Sequence, residues 1–174
     1  IEASLRRMAH YDYWSNAIRR SILVDSQADL LIYGMGERAI IEIAADLQQG
    51  IEVENIQDVQ GTCYRVPNKD YAWNYLELPS FAEVRADKKR FAEAFKLEYL
   101  EQDPIRGRRF VQQNDEWCVV QNPPALPLTE EQMDEVYDLP YMRTYHPIYE
   151  KAGGVPAIKE VQFSLVSQRG CFGG

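Results

Sequence analysis

Hydrophobic positions along the chain fall into short blocks separated by polar, glycine and proline residues. The segment Asp29-Leu30-Leu31-Ile32-Tyr33 is apolar on both faces and has polar and glycine boundaries, which predicts a short buried strand. Gly34-Met35-Gly36-Glu37 then reads as a tight turn. Ala39, Ile40, Ile43, Ala44 and Leu47 follow at helical spacing, and Gly50 stands where a C-terminal glycine stops a helix. Strand, glycine turn, helix and stop make half of a βαβ unit. Upstream, Ser4 to Arg20 carries Leu5, Met8 and Ile18 around an aromatic knot, Tyr11-Asp12-Tyr13-Trp14, whose spacing suits either helical pieces or a packed loop.

Downstream, Ile56 to Arg65 and Tyr71 to Leu78 read as strands joined in a hairpin by Pro67-Asn68-Lys69-Asp70. Phe91, Ala94, Phe95, Leu97 and Leu100 line a helix from about Asp87 to Glu101, ended by Asp103-Pro104. Phe110–Gln113 and Glu116–Gln121 form a second hairpin around Asn114-Asp115. Asn122 to Pro127 is extended, because each proline pushes its predecessor out of helical space. Thr129 with Gln132 opens a helix as a capping box. An aromatic, irregular stretch then runs through Tyr141 and Tyr149 to a hinge-like Gly153-Gly154. Val161, Phe163 and Leu165 alternate with Gln162, Ser164 and Val166, which predicts a strand running into Arg169-Gly170-Cys171-Phe172-Gly173-Gly174.

Composition narrows the function classes. With 45% hydrophobic and 26% charged residues the chain is that of a globular protein. No apolar run reaches the ~18 residues that span a bilayer. A net charge of −8 disfavours a general binder of phosphate backbones, and the basic run Arg106 to Arg109 reads as a solvated turn leading into a strand, with an anion or RNA contact as the lesser alternative. Cys63, Cys118 and Cys171 are widely spaced and odd in number, which argues against a disulfide framework and for a reducing cytoplasm. His10 and His146 are the only histidines, too few for a self-contained zinc site.

The ending Cys171-Phe172-Gly173-Gly174 resembles the first cysteine and spacer of the radical SAM signature C-x-x-x-C-x-x-C. Further segments, in order, resemble YgiQ-type radical SAM proteins: Ile1 to Arg7 with His10 to Trp14, Tyr33 to Arg38, Gln121 to Ala125, Leu139-Pro140-Tyr141, His146-Pro147 and Arg169 to Gly174. The resemblance implies a parent enzyme in which three cysteines hold a 4Fe–4S cluster that binds and reductively cleaves S-adenosylmethionine. Cys171 is then a cluster ligand in the parent only, and no cofactor is expected on this catalytically incomplete fragment. The implied fold is α/β: part of a Rossmann-like, cobalamin-binding-type sheet with a mixed α+β linker over residues 1–155, and the first barrel strand and cluster loop over 156–174. Its expected partners are the rest of its own barrel and a substrate the sequence does not name, with neither a membrane nor general nucleic-acid binding.

Two other readings stand beside the enzyme fragment. Asp29 to Gly50 could form a cobalamin or nucleotide module. There Gly34, Gly36 and Glu37 would meet a ligand at the helix N-terminus, although the charge of Glu37 opposes an anion and the glycines serve a tight turn equally well. Alternatively, the aromatic surface docks on the barrel, and the orphan strand after Val161 pairs with a second copy. Asp12, Arg143 and His146 are the candidate catalytic residues. Cys63 and Cys118, inside expected strands, read as small buried hydrophobes.

Overall fold

A computed structural model describes residues 2–165 and residue 169. The chain packs as two compact units, residues 1–128 and 129–174.

The first unit is α/β. Its elements are α1 (Glu2–Leu5), β1 (His10–Asp12), β2 (Ala17–Arg19), α2 (Ile22–Ser26), β3 (Leu30–Ile32), α3 (Glu37–Gln48), β4 (Thr62–Val66), β5 (Tyr75–Glu77), α4 (Phe81–Ala86), α5 (Lys88–Leu100), β6 (Arg109–Asn114) and β7 (Trp117–Gln121). Five strands form one mixed sheet in the order β3-β4-β7-β6-β5, antiparallel except for the parallel β5–β6 pair. β1 and β2 form a separate antiparallel hairpin.

The pairing register sorts side chains onto two faces, because successive residues of a strand point to opposite sides. On one face Leu31, Cys63, Phe110 and Val119 pack with Met8, Leu23 and Leu78. On the other, Tyr64, Val66, Val111, Cys118 and Val120 pack with Leu30, Ala72 and Tyr75. Helix α3 covers Leu30 and Ile32 through Ala39 and Ile43. Helices α4 and α5 pack together through Phe81, Val84, Phe91 and Ala94, and Ile18 of β2 joins them.

Buried side-chain amides fasten the N-terminal segment to this sheet. Gln112, fully buried, accepts from Ala9 N at 2.7 Å and donates to Pro79 O at 2.8 Å. Asn114, also fully buried, accepts from Ser21 N at 2.9 Å. Each amide occupies a backbone group that water cannot reach, so the sheet and the N-terminal segment are satisfied only together.

Several expectations from the sequence hold locally. The β6–β7 hairpin turns at Asp115, whose φ is 52°. Helix α5 begins at the Asp87 cap and spans the expected residues. Thr129 and Gln132 form the capping box of α6 (Glu130–Asp138). The continuation of the βαβ unit differs: after α3 the chain returns as β4, antiparallel to β3. The hairpin expected between residues 56–65 and 71–78 does not form. β4 lies between β3 and β7, β5 pairs with β6, and the β6–β7 hairpin separates the two. That hairpin supplies longer partners than the short turn at 67–70 could, so non-local pairing wins. The aromatic knot is the β1–β2 hairpin and its turn, preceded by the single helical turn of α1.

The second unit contains α6, a 3-10 segment Pro147–Ala152 and α7 (Ile158–Val161). Gly154 has φ of 80° and its absent Cβ would come 2.6 Å from the Tyr145 hydroxyl, so glycine is required there. The strand expected from Val161 is not present among the described residues: Val161 ends α7, and residues 162–165 are turn and coil. An isolated strand has no ladder to satisfy its backbone, whereas a helical turn satisfies it internally. The remainder of that expected strand and Cys171 lie outside the described residues.

Replacing Gln112 with Ala removes partners from a buried N–H and a buried carbonyl. We expect a loss of about 3 kcal/mol in unfolding free energy, measured by urea titration with unchanged m-value.

Candidate functional site

A cleft of about 520 Å³ opens at the β1–β2 hairpin, lined by Leu5, Arg6, His10, Tyr13, Trp14 and Arg19 among others. Pairing places His10 opposite Arg19, with Asp12 two residues along the same face. Ile18 on the reverse face is drawn into the α4–α5 cluster, and this turns the polar face outward.

The turn Tyr13-Trp14-Ser15-Asn16 is held by Asp12. Its carboxylate accepts from Trp14 N at 3.1 Å, Ser15 Oγ at 2.5 Å and Arg19 Nε at 3.0 Å. The Ser15 hydroxyl first, then Arg19 and the Trp14 amide, hold this carboxyl below the usual range. Asn16, at φ 48°, accepts from the Tyr11 hydroxyl at 2.8 Å and completes the reversal. A carboxylate engaged on both oxygens fixes the turn and is poorly suited to take a proton. Tyr13 and Trp14 thereby stand out edge to face, centroids 6.0 Å apart, with Trp14 93% exposed. Burial and the nearby Arg6 guanidinium lower the His10 pKa, with Asp12 pulling the other way, so its imidazole is neutral further into the acid range than usual. Arg6 itself is anchored to Asp25 and donates to Arg20 O at 3.2 Å. Rings, an imidazole and a guanidinium at one surface suit recognition of a planar or aromatic group.

The other expected site residues lie elsewhere in the fold, in the turn into α3 and in the second unit. Gly34 has φ of 68°. A Cβ at Gly36 would approach Ile32 Cγ2 to 2.7 Å, so the strand's own side chain accounts for the glycine. Glu37 occupies the first turn of α3. In the second unit Arg143, at φ 54°, donates to Tyr137 O at 3.1 Å near the C-terminal end of α6, where a cation complements the helix dipole. His146 caps the 3-10 segment, its Nδ1 accepting from Ile148 N at 3.1 Å. Asp12 thus belongs to the first unit, Arg143 and His146 to the second, and each is engaged within its own unit.

The sequence pattern missed a cluster on the Cys63 face of the sheet. Arg7 lies over the Tyr33 ring at 4.3 Å, donates to Gln121 Oε1 at 2.7 Å and to Ser4 O at 2.5 Å. Gln121 donates to the Tyr33 hydroxyl at 3.2 Å, which donates to Asn122 O at 2.6 Å. Burial pushes the Glu98 carboxyl of α5 up to about 7 against the opposing pull of Arg7. These residues come from four separate stretches, so no spacing joins them.

Cys63 and Cys118 cannot contribute to one metal centre. They lie on opposite faces of the sheet, both buried, and burial pushes the Cys63 thiol up to about 12 and raises Cys118. Among the described residues no group of three or more His, Cys, Asp or Glu side chains is placed to hold a metal ion. No helix among them is long and apolar enough to cross a membrane.

The geometry is that of a mixed α/β domain with a cleft lined by aromatic and charged side chains. Residues 1–164 match the family described as Radical SAM N-terminal, and the chain belongs to that family. It is similar to a UPF0313 protein of Clostridium botulinum (strain ATCC 19397 / Type A), 58% identical over 173 residues, which are 99% of this chain and 27% of the relative. A UPF0313 protein of Clostridium perfringens (strain 13 / Type A) is 57% identical over 174 residues, 99% of the chain and 26% of the relative. The chain therefore spans about a quarter of the length of the curated relatives it matches. No solved structure matches it.

The raised Glu98 carboxyl gives a pH signature. Its folded pKa lies above the unfolded value near 4.3, so the folded state binds more protons between about 4.3 and 7, and stability falls as pH rises through that window. Relative to the wild-type chain, E98Q gains melting temperature between pH 5 and 7.5, a difference read by thermal denaturation at the two pH values.

Proposed function

We propose that this chain is the N-terminal accessory region of a YgiQ-type radical SAM iron–sulfur enzyme, in which reductive cleavage of S-adenosylmethionine is performed by a separate catalytic domain of the longer protein. The observation that carries the reading is the family match over residues 1–164, followed within ten residues by Arg169-Gly170-Cys171-Phe172-Gly173-Gly174, a cysteine with the glycine-rich spacer of a cluster loop. The family implies a 4Fe–4S cluster and S-adenosylmethionine in the whole protein. The donor set of residues 2–165 does not fit a cluster, since its two cysteines are buried back to back across a sheet and a cluster needs thiolates converging from one side. Cys171 is accordingly assigned as the first cluster ligand of the whole protein, and Cys63 and Cys118 as packing residues.

The accessory region supplies recognition and support. The cleft of His10, Tyr13, Trp14 and Arg19 offers rings and hydrogen-bonding groups to a substrate or to the catalytic domain, and it offers no activated nucleophile. A cobalamin or nucleotide site at the strand–turn–helix has less in its favour, because Gly36 is explained by Ile32 and Glu37 places negative charge at the helix start.

Anaerobic reconstitution of the longer protein with iron and sulfide tests the assignment. We expect brown, cluster-loaded protein for the wild type and for a Cys63→Ala, Cys118→Ala double variant, and colourless protein for Cys171→Ala. Full cluster content in Cys171→Ala would sink the reading.

A further inference from the structure

Helix α3 is more apolar than its packing requires. Ala39 and Ile43 are buried against β3, but Ile40, Ile41 and Leu47 are 54%, 67% and 49% exposed. Ile40, Ala44 and Leu47 follow the i, i+4, i+7 spacing of a single helix stripe, and Ile51 beyond the helix end continues it, all of them exposed. This second stripe faces no element of the first unit among the described residues.

The strand beneath α3 is also unfinished. β3 is an end strand of the sheet, paired on one side with β4. Tyr33 N donates to Gly61 O at 2.9 Å, and Leu31 stands opposite Cys63. By the alternation of an antiparallel ladder, the backbone groups of Leu31 and Tyr33 point toward β4, and those of Leu30 and Ile32 point to the open edge. An apolar helix stripe and the edge-facing backbone groups of Leu30 and Ile32, unpaired among the described residues, therefore belong to one strand–turn–helix unit.

We propose that this edge is the docking surface for a further strand–helix unit of the same longer polypeptide. A strand of that unit would hydrogen-bond to Leu30 and Ile32, and a helix would pack on Ile40, Ala44 and Leu47. The inference rests on the reading that the chain is part of a longer protein, for which the relatives' length is the support: residues like these make up 27% of them. The dimensions agree. Strands add about 5 Å each to a sheet and helices pack about 8–10 Å apart, so a helix beside α3 reaches over and just past the one added strand. A second copy is the weaker occupant, because β3 contributes only three residues to an edge-to-edge pairing. A unit on the same polypeptide is presented at high effective concentration and needs no large buried area to stay bound.

The test uses the longer protein with single cysteines at Ile40, Ala44 or Leu47, and at Ile105, which is 83% exposed in the turn after α5, as reference. Maleimide labelling is followed by peptide mass spectrometry. We expect the α3 positions to label at least tenfold more slowly than Ile105→Cys under native conditions, and at equal rates in urea. Ala44→Cys is the mildest change, and hydrogen exchange at Leu30 and Ile32 in the unsubstituted protein reads the same edge without any variant. Equal native labelling, with fast exchange at both amides, would overturn the proposal. Protection that disappears on dilution, together with a dimer by light scattering, would overturn it in favour of a second copy. Iron content of the same preparations reports separately: cluster-loaded protein with freely labelled α3 defeats the docking surface alone, and protected α3 in colourless protein defeats only the cluster assignment.

Discussion

The first unit depends on the side-chain amide of Gln112. It sits on a strand near the middle of the sheet and reaches both Ala9 and Pro79, which lie far apart in sequence on either side of the hairpin, α3 and β4. Asn114 repeats the arrangement two residues later with Ser21. Apolar packing alone would press the N-terminal segment onto the sheet at any of several positions. The buried amides allow one register only, because any slip leaves backbone groups unpaired away from water. The orientation of the β1–β2 hairpin, and hence of the Trp14 cleft, follows from that register.

What the sequence made legible was local. The glycine turn into α3, the Asp87 start of α5, the Asn114-Asp115 hairpin and the Thr129 capping box each depend on residues within a few positions of one another, and each stands as expected. Ser80 and Glu83 carry the same capping signature for α4, a signal that its short apolar pattern of six residues obscured. Pairing was not legible. Nothing near Tyr75 announces a parallel partner at Arg109, and nothing near Thr62 announces that β7 will lie beside it, because those choices are made by the summed burial of distant strands.

The candidate site divides along the same line. Asp12 was visible as a charged residue inside an aromatic knot, but its role was decided by Ser15 and Arg19, which commit its oxygens to the turn. Arg143 and His146 were visible as polar residues in irregular chain, and each makes a hydrogen bond to a neighbouring backbone group. The Arg7–Tyr33–Gln121–Glu98 cluster was invisible because four stretches converge to make it. Cysteine identity was the most transferable signal: two positions inside expected strands proved to be packing residues.

The placement of those two cysteines has a consequence for how the protein meets air and oxidants. With the sheet between them and each thiol sealed into a different core, neither can react with the other or with an external oxidant until strands part. The redox history of the solution thus leaves no mark on either thiol while the sheet stays closed.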